Sequence, residues 1–166
     1  MWQRNWLEEG EKDRQHAYRR DYLGNVHPIL ALPVDHPRKP IVHYQAARHA
    51  FDIPSDVVTK LRRMAQDRGA TLFMALLAGF QVLLYRHTGQ QDIRVGVPIA
   101  NRNRIETGGL IGFFVNTQVL RSGVHGRVAL WEVLDQAVDG SIHAHALPAM
   151  PSQQPGAAIQ PGRGPP

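Results

Sequence analysis

Nine histidines and no cysteine frame the chemistry open to this chain of 166 residues. Without cysteine there is no thiolate nucleophile, no disulfide and no thiolate-ligated zinc. The histidines are not spaced as metal ligands. His143 and His145 stand two apart, which on a helix puts them on different faces. His27, His36, His43 and His49 lie in or beside a proline-rich stretch with no carboxylate at ligand spacing. No Ser-His-Asp set and no pair of carboxylates can be argued, and Gly108-Gly109 lacks the spacing and the following helix of a phosphate loop. Asn116 stands apart as an amide in the middle of an apolar run, residues 111–120. There it must find hydrogen-bond partners or border a wet cleft.

Asn116 belongs to the stretch on which the rest of the chain is organised, DIRVGVPIANRNRIETGGLIGFFVNTQVLR, residues 92–121. Residues 92–97 carry β-branched side chains around Gly96, and Pro98, with no N–H to donate, is expected to stop that strand. Residues 100–109 are polar, end on paired glycines and read as a loop. Residues 111–120 return to β-branched and aromatic types, a second strand apolar enough to be covered on both faces.

Helical segments flank this unit. Residues 2–23 read as an exposed helix with Trp2, Trp6, Leu7 and Tyr18 along its apolar edge, ended by Gly24-Asn25. Four prolines within residues 26–40 make an extended linker. Residues 46–53 are expected to form a strand that buries Ala50, Phe51 and Ile53. Ser55 then reads as an N-cap, with Asp56 favoured by the helix dipole, and Val57, Val58, Leu61, Met64 and Ala65 as the inner face. Gly69 ends this helix and Thr71 caps the next, residues 72–87, which is apolar nearly all round and so expected at the centre, its Met and Phe residues in the core. Gly89 stops it. A last helix over residues 128–146 should face inward with Leu130, Val133, Leu134, Ala137 and Ile142, and Gly140 weakens it by about 1 kcal/mol relative to Ala. Residues 147–166 are rich in Pro and Gly and are expected to be disordered.

The bulk composition is that of one modest core, with 43% hydrophobic residues. The net charge of +5 is spread along the chain. Its basic doublets, Arg19-Arg20, Arg38-Lys39 and Arg62-Arg63, do not alternate with aromatics, which argues against nucleic-acid binding. Glu8, Glu9 and Glu11 stand where a signal peptide needs an apolar stretch. The longest apolar run, residues 72–85, is interrupted by Gln81 and falls short of the roughly 20 residues of a membrane span. A cytoplasmic location is expected.

The blocks VGVPIANRNRIET and LIGFFVNTQVLR together resemble the later core motifs of the condensation domains of nonribosomal peptide synthetases, in the chloramphenicol-acetyltransferase-like superfamily. WQRNWLEEGEKDRQHAYRRDYL, LALPVDHPRKP and GATLFMALLAGFQVLLYRHTGQQDIRVG fit in the right order, so the resemblance runs from Trp2 to about Gly140. It implies an α/β fold, a two-layer sandwich of the chloramphenicol-acetyltransferase type, of which this chain is mainly the second half. Residues 1–23 would be a helix from the end of the first half-domain, 24–45 the crossing linker, 46–146 a partial second half and 147–166 a degenerate tail. Ala46 stands where the family commonly has Gly. In the tail, the family motif A-H-Q-D-Φ-P-F-E (Φ apolar) is matched at Ala146, Met150 and Pro151 but replaced at Leu147, Ala149, Ser152 and Gln153. A later Q-P-x-R survives at Gln160, Pro161 and Arg163, while Pro155 and Gly156 interrupt the helix expected between. Such clustered departures read as decay or sequence error.

By the resemblance, the substrates are acyl groups held as thioesters on the phosphopantetheine arms of carrier domains, and no cofactor is bound directly. The implied partners are aminoacyl and peptidyl carrier domains and an adjacent adenylation domain, with no nucleic acid and no membrane. The second His of the family signature HHxxxDG positions or deprotonates the attacking amine. This chain has no two adjacent histidines, so that base is expected upstream of it and the chain alone is expected to be inactive. Arg102 matches the Arg that closes the P-x-A-x-R block, expected to pair with the Asp of the signature. Without that Asp it should turn to solvent. Asn116 matches the Asn of F-V-N-T near the acceptor tunnel. Both are supporting residues, and no catalytic residue or metal ligand is assigned. Two alternatives share the scaffold: a catalytically silent module for docking carriers or enzymes, and a related acyltransferase or epimerisation domain, the last disfavoured by the intact Asn116-Thr117. Apolar surface along residues 110–120, including Phe113 and Phe114, is expected to be left open and to drive self-association.

Overall fold

The computed structural model describes residues 12–35, 47–100, 111–112 and 115–146. In chain order they form helix α1 (Lys12–Leu23), helix α2 (Ser55–Gln66), helix α3 (Leu72–Thr88), strand β1 (Asp92–Ile99), strand β2 (Asn116–Gly123) and helix α4 (Leu130–Ala146). The strands pair antiparallel from Asp92 opposite Gly123 to Ile99 opposite Asn116. The core is built from Ala75, Ala78 and Leu84 of α3, Ile93 of β1, Val133 and Leu134 of α4, Ala65 of α2 and Val124. Leu77, Leu120 and Ala137 form a second cluster. Burying a side chain the size of Ile93 or Leu134 contributes about 1.5–3 kcal/mol. The arrangement is α/β, as expected.

The sheet departs from expectation in three ways. Pro98 does not end β1, which continues to Ile99. The Val124 amide donates to Gln91 across the pair at 2.8 Å, so odd-numbered residues of β1 point their backbone groups at β2 and even-numbered ones point away. Pro98, opposite Thr117, therefore lacks an N–H only on the outer edge, where none is needed. Second, β2 begins at Asn116 rather than 111 and runs on to Gly123. Ile111 is fully exposed, and Phe113 and Phe114 lie outside the described residues. Third, β2 alternates between buried (Asn116, Gln118, Leu120, Ser122) and exposed (Thr117, Val119), so one face is covered and not two.

Helix ends follow the sequence closely. Gly24, Gly69 and Gly89 all adopt positive φ, between 62° and 71°, as helix stops. Thr71 Oγ1 accepts the Met74 amide at 3.3 Å. Ser55, however, is the first helical residue and not the cap. Pro54 is the N-cap, with no side-chain bond, and its carbonyl takes the amides of Val57 and Val58. Residues 47–53 form no strand, and Phe51 and Ile53 are exposed: the segment pairs with no strand among the described residues and so buries nothing. Val57 and Ile142 also face solvent, the latter giving way to Ser141, whose hydroxyl donates to the Ala137 carbonyl at 2.7 Å. Phe73 and Phe80 are half exposed rather than core, because α3 buries Ala75, Leu77, Ala78, Gln81 and Leu84 on one side only. Trp2, Trp6 and Leu7 lie outside the described residues.

Charge ties the amino-terminal helix to the sheet. Arg94 and Arg121 are direct register partners, a repulsive pairing in isolation. Asp92 resolves it, with Oδ2 2.7 Å from Arg94 Nη2 and Oδ1 2.9 Å from Arg121 Nε. Burial works to raise the Asp92 pKa, but hydrogen bonds and charge from both guanidinium groups hold it below the usual carboxylate range. Arg94 Nη2 also donates to the carbonyls of Leu23 (2.7 Å) and Val26 (2.8 Å), and Arg121 Nη1 to that of Tyr22 (2.9 Å). His27 Nδ1 sits 2.9 Å from Arg94 Nη1.

Among the described residues, the outer edge of β2 is occupied by side chains in place of a third strand. Tyr22 Oη accepts the Arg121 amide at 2.8 Å and donates to the Arg121 carbonyl at 3.2 Å. Gln136 of α4 does the same for Gly123, accepting at 2.7 Å and donating at 3.2 Å. Gln90 grips the linker likewise, at Ala31 N and Ile29 O. Tyr22 reaches its place because residue 140 has no side chain: a Cβ on Gly140 would lie 2.9 Å from Tyr22 Oη.

Both the tyrosine cap and the carboxylate can be tested by substitution. Gly140→Ala should gain up to about 1 kcal/mol of helix propensity but displace a hydroxyl with two hydrogen bonds, each worth about 1 kcal/mol. It is expected to destabilise the chain and, in a Tyr22→Phe background, to stabilise it, read from urea midpoints of the four proteins. For Asp92, a lowered folded pKa means its stabilisation is complete above the ordinary value of about 4 and is lost as pH falls through the folded value. Asp92→Asn should thus cost about 1–3 kcal/mol at neutral pH, and the gap to wild type should narrow in denaturant melts below about pH 4.

Candidate functional site

Of the two residues singled out by sequence, the structure locates Asn116; Arg102 lies outside the described residues. Asn116 is 6% exposed and forms the first rung of β2, opposite Ile99, where the hairpin opens toward residue 100. Its Oδ1 accepts the Thr117 amide at 2.9 Å, an amide that points away from β1. The side chain is thereby fixed against its own strand, in keeping with a satisfied buried amide.

Asn116 heads a polar row on the inner face of β2 that continues with Gln118 and Ser122, all buried. From α3 above, fully buried Gln81 completes it: Ser122 Oγ donates to Gln81 Oε1 at 2.9 Å, and Gln81 Nε2 reaches the Leu120 carbonyl at 3.4 Å. Sequence reasoning treated Gln81 only as a break in an apolar run. The signal that would have found it is a lone amide in an apolar helix beside a strand with polar residues at three of its four inward positions. Amides and a hydroxyl give and take hydrogen bonds but do not ionise near neutral pH. The row can orient groups at the strand end; it supplies no general base.

The remaining candidates serve structure. His27 belongs to the arginine clamp. His49 stacks on Phe51 at 6.5 Å, and His143 stacks on Tyr18 at 6.0 Å while a ring nitrogen meets the Asp139 carbonyl at 2.7 Å. Among the described residues no three His, Asp or Glu side chains gather as metal ligands. An open groove of about 770 Å³ between α2 and α4 is lined by Lys60, Arg63, Met64, Arg68, Trp131 and Asp135. Arg68 Nη1 contacts both Asp135 oxygens, at 2.7 and 3.0 Å, and its guanidinium lies 6.0 Å from the Trp131 ring. The groove's lining holds no Ser, Thr, Cys or His side chain. No helix among the described residues is long and apolar enough to cross a membrane.

Against known proteins, residues 1–153 match the family model described as Condensation domain. One of the linear gramicidin synthase proteins of Brevibacillus parabrevis is 44% identical over 154 residues, covering 93% of this chain and 3% of that protein. The chain thus spans a small part of the synthetases it matches. Among solved structures, the condensation domain of the monacolin K polyketide synthase MokA superposes with a TM-score of 0.75 at 26% identity, over 95% of this chain and 38% of that one. A four-domain nonribosomal peptide synthetase bound to AMP and glycine superposes at 0.85 with 22% identity, over 92% of this chain and 12% of that one, a likeness of fold. The α/β hairpin with its covering helices is the chloramphenicol-acetyltransferase-like fold of those structures, and the chain belongs to the condensation domain family of nonribosomal peptide synthetases.

Proposed function

We propose that this chain supplies the second-half scaffold of a condensation domain that joins two carrier-bound acyl groups in a cytoplasmic peptide assembly line. In that reaction the acceptor amine attacks the donor thioester carbonyl, the C–S bond breaks, and the phosphopantetheine thiol leaves with the proton that the amine gives up. The observation that carries the reading is the family match across residues 1–153, which includes buried Asn116 at the open end of the hairpin. Asn116 serves as a fixed hydrogen-bonding group beside the acceptor path. Arg102, between β1 and β2 in the sequence, serves as the partner of the signature Asp and so steadies the catalytic His. Carrier domains and an adenylation domain are the partners, since the relatives are multidomain synthetases.

The base itself is absent from these 166 residues, which hold no HHxxxDG. General-base catalysis contributes typically about 10²–10⁴-fold and requires a group within hydrogen-bond reach of the amine. The purified chain mixed with donor-loaded and acceptor-loaded carrier proteins is therefore expected to form no peptide, measured by mass spectrometry of the released thioesters. Product above a no-protein control would defeat this reading. A second reading is a catalytically silent module that docks carriers or enzymes. It predicts saturable binding of a labelled carrier protein to the chain without turnover.

A further inference from the structure

Two arginines meet across the strand pair where one would serve. Arg94 stands directly opposite Arg121, and like charges so placed destabilise a hairpin. Asp92 bonds to both, but one carboxylate neutralises one guanidinium, so the group of three keeps a positive charge. Water screens it poorly, since the Arg94 side chain is only 14% exposed. The end of α1 meets that charge. The last four carbonyls of a helix have no partner within it, and together they carry about half a negative charge. Two of them, on Tyr22 and Leu23, accept from Arg121 Nη1 and Arg94 Nη2 at 2.9 and 2.7 Å. We propose that the two arginines are a latch between the hairpin and α1. Asp92 balances one guanidinium and the carboxyl end of α1 balances the other, so α1 can leave the sheet while the hairpin stays closed.

The other contacts at this joint suit a part that docks as a unit. Arg94 Nη2 also takes the Val26 carbonyl at 2.8 Å, and its Nη1 lies 2.9 Å from His27 Nδ1, so the start of the linker hangs on the same side chain. Tyr22 Oη closes the Arg121 backbone, and Tyr18 stacks on His143 of α4. Among the described residues, neither apolar cluster draws a member from α1. The helix is therefore joined by hydrogen bonds and charge to a body whose apolar clusters are complete without it. This gives the arginines opposite effects on the two parts. Removing one of them relieves the strand pair and frees the helix, whereas an arginine that served the hairpin would weaken both when lost. The latch rests on contacts made inside the chain and does not depend on the condensation reading.

Nuclear magnetic resonance of the 166-residue chain reads the two parts separately as temperature rises. Helical Cα shifts over residues 12–23 report α1. The Hα–Hα contact of Gly96 with Val119, a pair between hydrogen-bonded rungs, reports the hairpin. Arg94→Thr keeps the Arg121–Asp92 pair and supplies a good strand former. In it the helical shifts of α1 are expected to disappear at least about 5 °C earlier than in wild type, and the hairpin contact no earlier. Arg121→Thr, which keeps the Arg94–Asp92 pair, should behave the same way. Asp92→Asn should bring both losses forward together, because it leaves two cations face to face. The proposal is overturned if the hairpin contact fails earlier in both threonine variants, or if α1 melts in them as in wild type. It is equally overturned if residues 12–23 of wild type show no helical shifts, or if Asp92→Asn spares the hairpin.

Discussion

One carboxylate sets the terms for this structure. Antiparallel register places Arg94 directly opposite Arg121, and only a negative group between them makes that pairing tolerable. Asp92 supplies it from two residues along the same strand. Once their charge is shared, the guanidinium groups have donors to spare, and these go to the carbonyls of Tyr22, Leu23 and Val26. The end of α1 and the start of the linker are thus held by the same charges that set the hairpin. Removing the carboxylate would leave two cations facing each other at the point where α1 is anchored.

A two-stranded sheet has little stability of its own. Here α3 and α4 cover its inner face, and side chains take up its outer backbone groups. Gln81 and Ser122 add a buried link between helix and strand, fully satisfied and therefore selective for one register. Slipping β2 by one residue would turn Ser122 outward and bring Arg121 beneath α3. The same registration fixes Asn116 opposite Ile99, at the end of the strand pair.

Punctuation was the most legible part of the sequence. Gly24, Gly69, Gly89 and Thr71 act where their local chemistry says, since positive φ and a capping hydroxyl depend on near neighbours alone. The order of helices and strands, and the family, could also be read from the motifs. Misreadings came where the outcome depends on direction or on partners. Whether Pro98 breaks a strand depends on which edge its missing N–H faces. Whether residues 47–53 form a strand depends on a pairing edge, and whether Phe73 and Phe80 are buried depends on what lies over α3. Gln81 was overlooked because its partners, Ser122 and Leu120, are some forty residues away. Ser55 lost the capping role to Pro54, one residue earlier, a shift within the ordinary spread of helix boundaries.

The side-chain caps on β2 also change what the sheet's amides can report. In most sheets, slow hydrogen exchange at a strand position measures the opening of a strand pair. The amides of Arg121 and Gly123 face away from β1 and are closed by Tyr22 of α1 and Gln136 of α4. Their exchange clocks therefore run on the undocking of two helices. The amides of Leu120 and Ser122, which alternate with them, run on the hairpin itself. Four consecutive residues of one strand thus carry separate timers for three different parts of the molecule.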